Sequence, residues 1–91
     1  MFKIKYTAKA EDKLFQIYNF IALDNPFIAA KVIMKIKSSI DILWFFPLSW
    51  KVLEDNYRFI VDSKYNYKII YQISNWVVYI ISIFKYENTW R

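Results

Sequence analysis

The stretch from Tyr57 to Tyr86 constrains the fold most, because it reads as three successive β-strands joined by two short turns. Tyrosine, isoleucine and valine, which favour strands, dominate it. Polar residues interrupt it at Asp62-Ser63-Lys64 and at Ser74-Asn75, where the chain can reverse. The pattern therefore predicts three strands, over Tyr57–Asp62, about Tyr67–Ile73 and Trp76 to about Phe84.

Alternation within these strands predicts which side chains share a face of the sheet. The first strand has an apolar face (Tyr57, Phe59, Val61) and a mixed one (Arg58, Ile60, Asp62), and the second has an apolar face (Tyr67, Ile69, Tyr71, Ile73) and a mixed one (Lys68, Ile70, Gln72). If burial sets the register, the mixed faces coincide, and Arg58 and Lys68 project from the same side. The third strand is almost wholly apolar, which is typical of a central strand covered on both faces.

The residues before this stretch predict a further strand and a first helix. Phe2–Tyr6 alternates apolar and charged residues, as an edge strand does. Thr7 is suited to cap the helix that follows, which runs to about Leu23. Its apolar residues recur at helical spacing and form one stripe: Ala10, Leu14, Ile17 and Ile21.

A second helix is predicted to begin at Asn25-Pro26, with Asn25 as N-cap and Pro26 in the first position. Its buried stripe is predicted to be Ala29, Ile33, Ile36, Ile40 and Leu43, while Lys31, Lys35 and Lys37 are interpreted as a solvated face. Pro47 ends the helix. Of the aromatic residues in 44–50, we expect most to close the core and some to suit a docking partner. Residues 51–56 read as a loop and 85–91 as a tail.

Residues 1–91 are therefore expected to form one α+β domain of order β-α-α-β-β-β, with a helical hairpin packed on one face of a small, mainly antiparallel sheet. The chain is 57% hydrophobic, with eight Tyr, eight Phe and four Trp. A domain of this size cannot bury so many aromatic side chains, so some should lie in an interface and the isolated chain should be poorly soluble. The net charge of +5 favours an anionic partner.

Missing residue types exclude several kinds of site. The chain has no Cys and no His, which removes thiolate chemistry, catalytic triads and the usual zinc sites. It has no Gly, which removes phosphate-binding loops and dinucleotide fingerprints. We expect no cofactor and no metal. No apolar run is long enough to cross a membrane and no secretory signal is recognisable, so the cytoplasm is the expected location.

In the order of its predicted elements and in several short sequence motifs, the sequence resembles the RelE/ParE superfamily of toxins from bacterial type II toxin-antitoxin systems, nearer its ParE-like branch. The likeness covers nearly the whole chain. The motifs that carry the likeness are Tyr18-Asn19-Phe20-Ile21 with Asp24-Asn25-Pro26 and Ala29-Ala30, Ile40 to Pro47, Tyr57-Arg58, Tyr67 to Ile73, and Ile81 to Phe84.

This resemblance implies a growth-inhibiting toxin that is neutralised by a cognate antitoxin. ParE-like members inhibit DNA gyrase, whereas RelE-like members cleave mRNA on the ribosome. Arg58, Lys68 and Lys85 match basic positions of the nuclease branch, but Tyr86 and Ile60 stand where that branch has further basic residues. We therefore expect a target-binding protein, with the ribosome-dependent endoribonuclease as the alternative and a plain nucleic-acid-binding module as a third class.

The residues expected to bind the target are Arg58, Lys68, Lys85 and Tyr86. In a nuclease the same four would be the catalytic candidates, with the three cations stabilising charge on phosphorus and Tyr86 acting as an acid. No convincing general base is visible, because Lys68 could serve only if its pKa were strongly lowered. Solvated sheet-face charges or antitoxin contacts explain each residue equally well.

Overall fold

The computed structural model describes residues 2–53 and 56–85, which form two helices packed on one face of a five-stranded sheet. The predicted α+β class and element order are confirmed. A two-residue strand, β2, lies within the segment predicted to be a loop, and two 3₁₀ turns, Ile42–Trp44 and Pro47–Ser49, precede it. The main elements are β1 (Lys3–Tyr6), α1 (Ala8–Ala22), α2 (Pro26–Asp41), β2 (Lys51–Val52), β3 (Tyr57–Asp62), β4 (Tyr67–Ser74) and β5 (Val77–Lys85).

The strands lie in the order β1-β5-β4-β3-β2. Neighbours are antiparallel except β1, which pairs with β5 in parallel and forms the predicted edge. β5 is internal, as expected, but its two faces differ. Val78 and Ile80 are buried under the helices, whereas Tyr79 and Ile81 on the other face are only half-buried. The prediction that both faces of β5 are covered is therefore wrong, since both helices pack on one side.

Both helices begin at the predicted caps. The Thr7 hydroxyl accepts the Ala10 amide at 3.2 Å and donates to the Ile80 carbonyl at 2.7 Å, which ties the start of α1 to β5. The Asn25 carboxamide oxygen accepts the amides of Phe27 and Ile28, at 3.1 and 3.2 Å. Local sequence signals thus set both starts. Within residues 2–53 and 56–85, no helix is long and apolar enough to cross a membrane.

The core lies between the helical hairpin and the sheet. Most of the predicted stripe residues contribute to it, although Ile17, Ile21 and Ile33 are only half-buried and Val32 is buried instead of Ile33. Each large aliphatic side chain that is fully buried stabilises the fold by about 1.5–3 kcal/mol. The buried hydrophobic residues of the core cluster are Ala10, Leu14, Val32, Ile36, Ile40, Leu43, Ile60, Tyr67, Ile69, Tyr71, Val78, Ile80 and Ile83.

The register of β3 on β4 differs from the prediction. Arg58 lies opposite Tyr71, and Lys68 lies opposite Val61, so Arg58 and Lys68 project from opposite faces. The prediction was wrong because it assumed that the mixed face of β3 turns toward solvent. That face instead packs under α2, where the Asp62 carboxylate is buried and its Oδ1 lies 3.1 Å from Nζ of Lys35.

Two surface assignments also differ from expectation. Trp44, Phe45 and Phe46 are exposed rather than closing the core, while Trp50 is half-buried and packs against it. These three residues lie at the end of one 3₁₀ turn, Ile42–Trp44, and directly before the next, Pro47–Ser49. On α2, Lys31 and Lys37 are exposed as expected, but Lys35 pairs with Asp62.

The turn between β4 and β5 has an unusual backbone. Asn75 and Trp76 have φ values of 51° and 66°, both in the left-handed region, as the central pair of a type I′ hairpin turn does. Asparagine tolerates this region, but a bulky residue such as tryptophan is rare there. With no Gly in the sequence, the tight turn holds Trp76 in a strained conformation.

Candidate functional site

The structure separates the residues predicted to form one working face. Arg58 and Lys85 lie on the face of the sheet that the helices cover, and Lys68 lies on the opposite face. Along β4, Lys85 is opposite Tyr67 and Arg58 is opposite Tyr71, with Ile69 buried between them. Tyr86 lies outside the described residues. The three described cations therefore belong to three different environments.

Arg58 fixes the turn that leads from α2 into β2. Its Nη1 donates to the carbonyl of Trp50 at 3.0 Å and to that of Leu48 at 3.3 Å. Beside it, the buried Tyr71 hydroxyl donates to the Pro47 carbonyl at 2.6 Å. Burial raises the pKa of Tyr71 to about 12, although the positive charge of Arg58 acts in the opposite direction. Arg58 is thus engaged with backbone carbonyls and acts as a positioning residue for residues 47–50.

Lys68 lies on the open face, by which we mean the side of the sheet that the helices leave uncovered. Its ammonium sits 4.1 Å from the centroid of the Phe59 ring, a cation–π contact. The register places three more lysines on this face, and Asp62, the one acidic residue in the described strands, lies on the other. The open face is therefore basic and partly aromatic, with Lys3, Lys5, Lys51, Lys68, Tyr57, Phe59 and Tyr79.

Lys85 lies at the edge of a large apolar groove, named here the hairpin groove. The groove has a volume of about 810 Å³ and runs between the helical hairpin and the neighbouring ends of β4 and β5. Nζ of Lys85 donates to the Tyr65 carbonyl at 2.6 Å and lies 5.0 Å from the centroid of Tyr67. The lining residues are Gln16, Ile17, Phe20, Ile21, Ile28, Val32, Tyr65, Tyr67 and Lys85.

The sequence pattern alone did not reveal the hairpin groove. Its clearest sequence signal is a large apolar residue outside the buried stripe, Phe20, whose side chain is 77% exposed. Leu23 and Phe27, in the turn between the helices, are also strongly exposed. Ile28 and Val32 are spaced by four on α2 and face the same groove. Exposed apolar side chains beside such a groove, here Phe20, Leu23 and Phe27, form the kind of apolar patch that marks interaction sites.

Three phenols on the helix-covered side of the sheet have raised pKa values. Burial raises the pKa of Tyr6 and of Tyr71 to about 12 and also raises that of Tyr67, so these phenols stay protonated at neutral pH. Among residues 2–53 and 56–85, no group of three or more acidic residues could hold a metal ion. What the arrangement offers is binding surface: an apolar groove with one cation at its edge, and a basic open face.

Comparisons with known protein families and solved structures identify relatives of the chain. The family model of the "ParE toxin of type II toxin-antitoxin system, parDE" matches residues 4–90. Comparison with curated proteins gives no match. Two solved structures share the fold at low sequence identity. A chain of the chromosomal ParDE toxin-antitoxin system from P. aeruginosa is 20% identical, with 96% of this chain and 98% of that chain covered and a TM-score of 0.85. The isolated E. coli RelE toxin is 16% identical, with 99% and 89% covered and a TM-score of 0.74.

Proposed function

The chain belongs to the ParE toxin family of type II toxin-antitoxin systems, and from this premise we propose that it inhibits growth by binding a cellular protein target, DNA gyrase, in the cytoplasm. We further propose that a cognate antitoxin neutralises it by placing an amphipathic segment in the hairpin groove. The observation that carries the proposal is the groove itself, an apolar depression of about 810 Å³ edged by Lys85.

The chemistry of the groove suits an apolar helix face with an acidic residue beside it. Most lining side chains are aliphatic or aromatic, and Gln16 and Lys85 supply polar groups at the edge. A helix that docks in such a groove inserts side chains spaced by three and four residues. A carboxylate on that helix would pair with Lys85, in keeping with the net charge of +5.

The exposed end of the helical hairpin explains why the toxin would need its antitoxin for solubility. Phe20, Leu23 and Phe27 place a large apolar area in water next to the groove. Such areas on a small protein favour association with a partner or aggregation. An antitoxin segment that fills the groove would cover much of this area.

Arg58, Lys68 and Lys85 lie apart from one another, which supports binding of a protein target rather than cleavage of RNA. Catalysis at phosphorus requires several charged groups within reach of one reacting centre. Arg58 is held by the carbonyls of Leu48 and Trp50, and Lys68 points to the opposite face. Of the four residues predicted to bind the target, Lys68 on the open face remains our candidate for direct contact with the target. We assign Lys85 to antitoxin binding, and Arg58 holds the 47–50 turn in position.

The decisive experiment is induction of the chain without antitoxin in living cells. We expect filamentation and DNA damage with translation intact, and inhibition of purified gyrase by the purified chain. Rapid loss of protein synthesis, with mRNA cut at codons inside ribosomes, would instead establish the endoribonuclease alternative. We expect a neighbouring reading frame to encode a small acidic protein. Co-expression of that protein should restore growth with the wild-type chain and should fail to restore it with the Phe20→Glu variant.

A further inference from the structure

A second apolar surface lies away from the hairpin groove. We name it the aromatic ridge and define it by Phe2, Trp44, Phe45, Phe46 and Trp76. The ridge consists of two groups of contacting rings, linked by a backbone hydrogen bond. The rings of Phe2 and Trp76 are 4.9 Å apart, those of Trp44 and Phe45 are 4.6 Å apart, and those of Phe45 and Phe46 are 6.0 Å apart. The Phe2 amide donates to the Trp44 carbonyl at 3.2 Å and joins the two halves.

The ridge is open to solvent although it consists of large aromatic side chains. Trp76 is 68% exposed and Phe45 is 58% exposed, and Trp44 and Phe46 are exposed as well. Tryptophan and other aromatic residues dominate the energetics of protein interfaces when they are buried by a partner. Isolated exposed aromatics are ordinary on a surface, but a row of adjoining rings of this length is not.

Trp76 adds an independent indication. Its φ of 66° places a bulky residue in the left-handed region, where asparagine or glycine would be less strained. The ring contacts Phe2 and stays 68% exposed. Folding stability alone therefore does not account for tryptophan here, and strain of this kind is concentrated at functional positions.

The ridge and the hairpin groove lie at opposite ends of β5. Trp76 immediately precedes the strand, and Lys85 of the groove ends it. Eight residue steps in an extended strand separate Val77 from Lys85 by roughly 26 Å. A segment seated in the groove thus leaves the ridge accessible.

Charge beside the ridge indicates what it binds. Lys3 follows Phe2, and Lys51 and the guanidinium of Arg58 flank the turn that follows Phe46. The described carboxylate that most closely precedes Trp44 in the sequence is Asp41. Burial, together with the negative charge of Asp41, raises the pKa of Tyr6. Two copies of the chain docked ridge to ridge would bring like charges together, so self-association is disfavoured.

Ring geometry favours a protein over a single-stranded nucleic acid. Successive bases stack on aromatic faces that they can approach in parallel. In the ridge, neighbouring rings are inclined by 35°, 68° and 44°, so two pairs are tilted and the Trp44–Phe45 pair is edge-on. Such rings form a corrugated surface into which aliphatic side chains fit.

We propose that the chain binds its cellular target through the aromatic ridge. The ridge contacts an acidic surface of the target protein that bears aliphatic side chains. This rests on the proposed function, since it presumes that the chain acts by binding a protein. It also makes the target site separate from the antitoxin groove, so the antitoxin would neutralise the chain by excluding the target with the part of the antitoxin that lies outside the groove.

The test combines Phe45→Ser with Trp76→Asn in one variant. Both positions are exposed, and asparagine suits the left-handed turn, so the variant should fold. The matched control is Phe15→Ser, which removes an exposed aromatic ring of α1 that belongs to neither surface. Each protein is induced over a range of inducer concentrations, and its thermal unfolding and its gyrase binding are measured in parallel.

We expect the ridge variant to need at least about tenfold more protein for half-maximal growth inhibition, as loss of an aromatic anchor commonly costs. The Phe15→Ser control should match the wild type. Lys3→Glu with Lys51→Glu should weaken inhibition, while the two Lys→Arg changes should preserve it. A ridge variant as inhibitory as the wild type, or a control that loses as much, would overturn the proposal.

The growth readout separates this failure from failure of the proposed function. If the wild-type chain does not inhibit growth at all, the proposed function is wrong and the ridge proposal falls with it. If the wild type inhibits growth but does not bind gyrase, the identity of the target is wrong, and the inducer comparison still decides whether the ridge is used.

Discussion

Arg58 and Tyr71 lie directly opposite each other on β3 and β4, and both donate hydrogen bonds to backbone carbonyls of the 47–50 turn. The guanidinium holds Leu48 and Trp50, and the phenol holds Pro47. A pair of side chains from the sheet thus secures the turn that directly follows Phe46 of the aromatic ridge.

Tyr71→Phe should lower the free energy of unfolding by about 1–3 kcal/mol, because it leaves the Pro47 carbonyl without its buried donor. Urea denaturation followed by tryptophan fluorescence measures this. Tyr18→Phe, which removes the hydroxyl of an exposed ring on α1, is the control and should change stability by less than about 0.5 kcal/mol. Equal effects of the two substitutions would show that the Tyr71 hydrogen bond contributes nothing.

Stability should fall in alkaline solution. Tyr71 has a folded-state pKa of about 12, above the ordinary value of 10.0 that holds in the unfolded chain. Below pH 10 both states keep the proton; between pH 10 and 12 the unfolded state releases it first, which favours unfolding. The stabilisation that the protonated Tyr71 hydroxyl provides is present below pH 10 and is lost as the pH rises through 12. The urea midpoint of Tyr71→Phe should therefore decline less steeply over this range than that of the wild type, and an identical decline would rule the group out.

Lys35→Met should destabilise the fold by about 1–3 kcal/mol, since the buried Asp62 carboxylate would lose the ammonium that lies 3.1 Å from its Oδ1. The Oδ2 atom would keep the Tyr65 amide at 2.9 Å. Lys31→Met, one turn earlier and exposed, is the matched control. The double change Lys35→Met with Asp62→Asn should recover part of the loss, and failure to do so would argue against an electrostatic cause.

Within the hairpin groove, Phe20→Glu should weaken antitoxin binding by at least about tenfold without lowering stability, because the ring is largely exposed in the free chain. Lys85→Glu should have a similar effect by placing like charges at the groove edge. Titration with the proposed antitoxin, followed by calorimetry, measures both. Phe15→Ser should bind normally; a groove variant that did so too would place the antitoxin elsewhere.

Features that depend on neighbouring residues along the chain were predictable from sequence. Thr7 and Asn25 accept amides within three residues, and Pro26 occupies the first position of α2, so the helix starts follow from local chemistry. The three long strands and their turns were also recognisable, because strand-favouring residues and polar breaks alternate clearly there.

Features that depend on long-range packing were not predictable in this way. The face of β3 that turns inward carries Ile60 into the core and Asp62 against Lys35 of α2, contacts between residues far apart in the sequence. The hairpin groove requires the ends of two helices and two strands to meet around Lys85. The left-handed backbone of Trp76 follows from a tight turn in a chain without glycine, and no propensity of tryptophan indicates it.

The parallel pairing of β1 with β5 has a consequence for synthesis on the ribosome. Thr7, at the end of β1, bonds to carbonyls of β5 that are 73 and 74 residues further along the chain. Until β5 has emerged, β1 has no strand beside it and one edge of β4 stays unpaired. Such edges invite pairing with other chains. A nascent toxin is therefore incomplete as a fold until its β5 is made, and a premature stop before Val77 should yield an aggregating fragment instead of a smaller toxin.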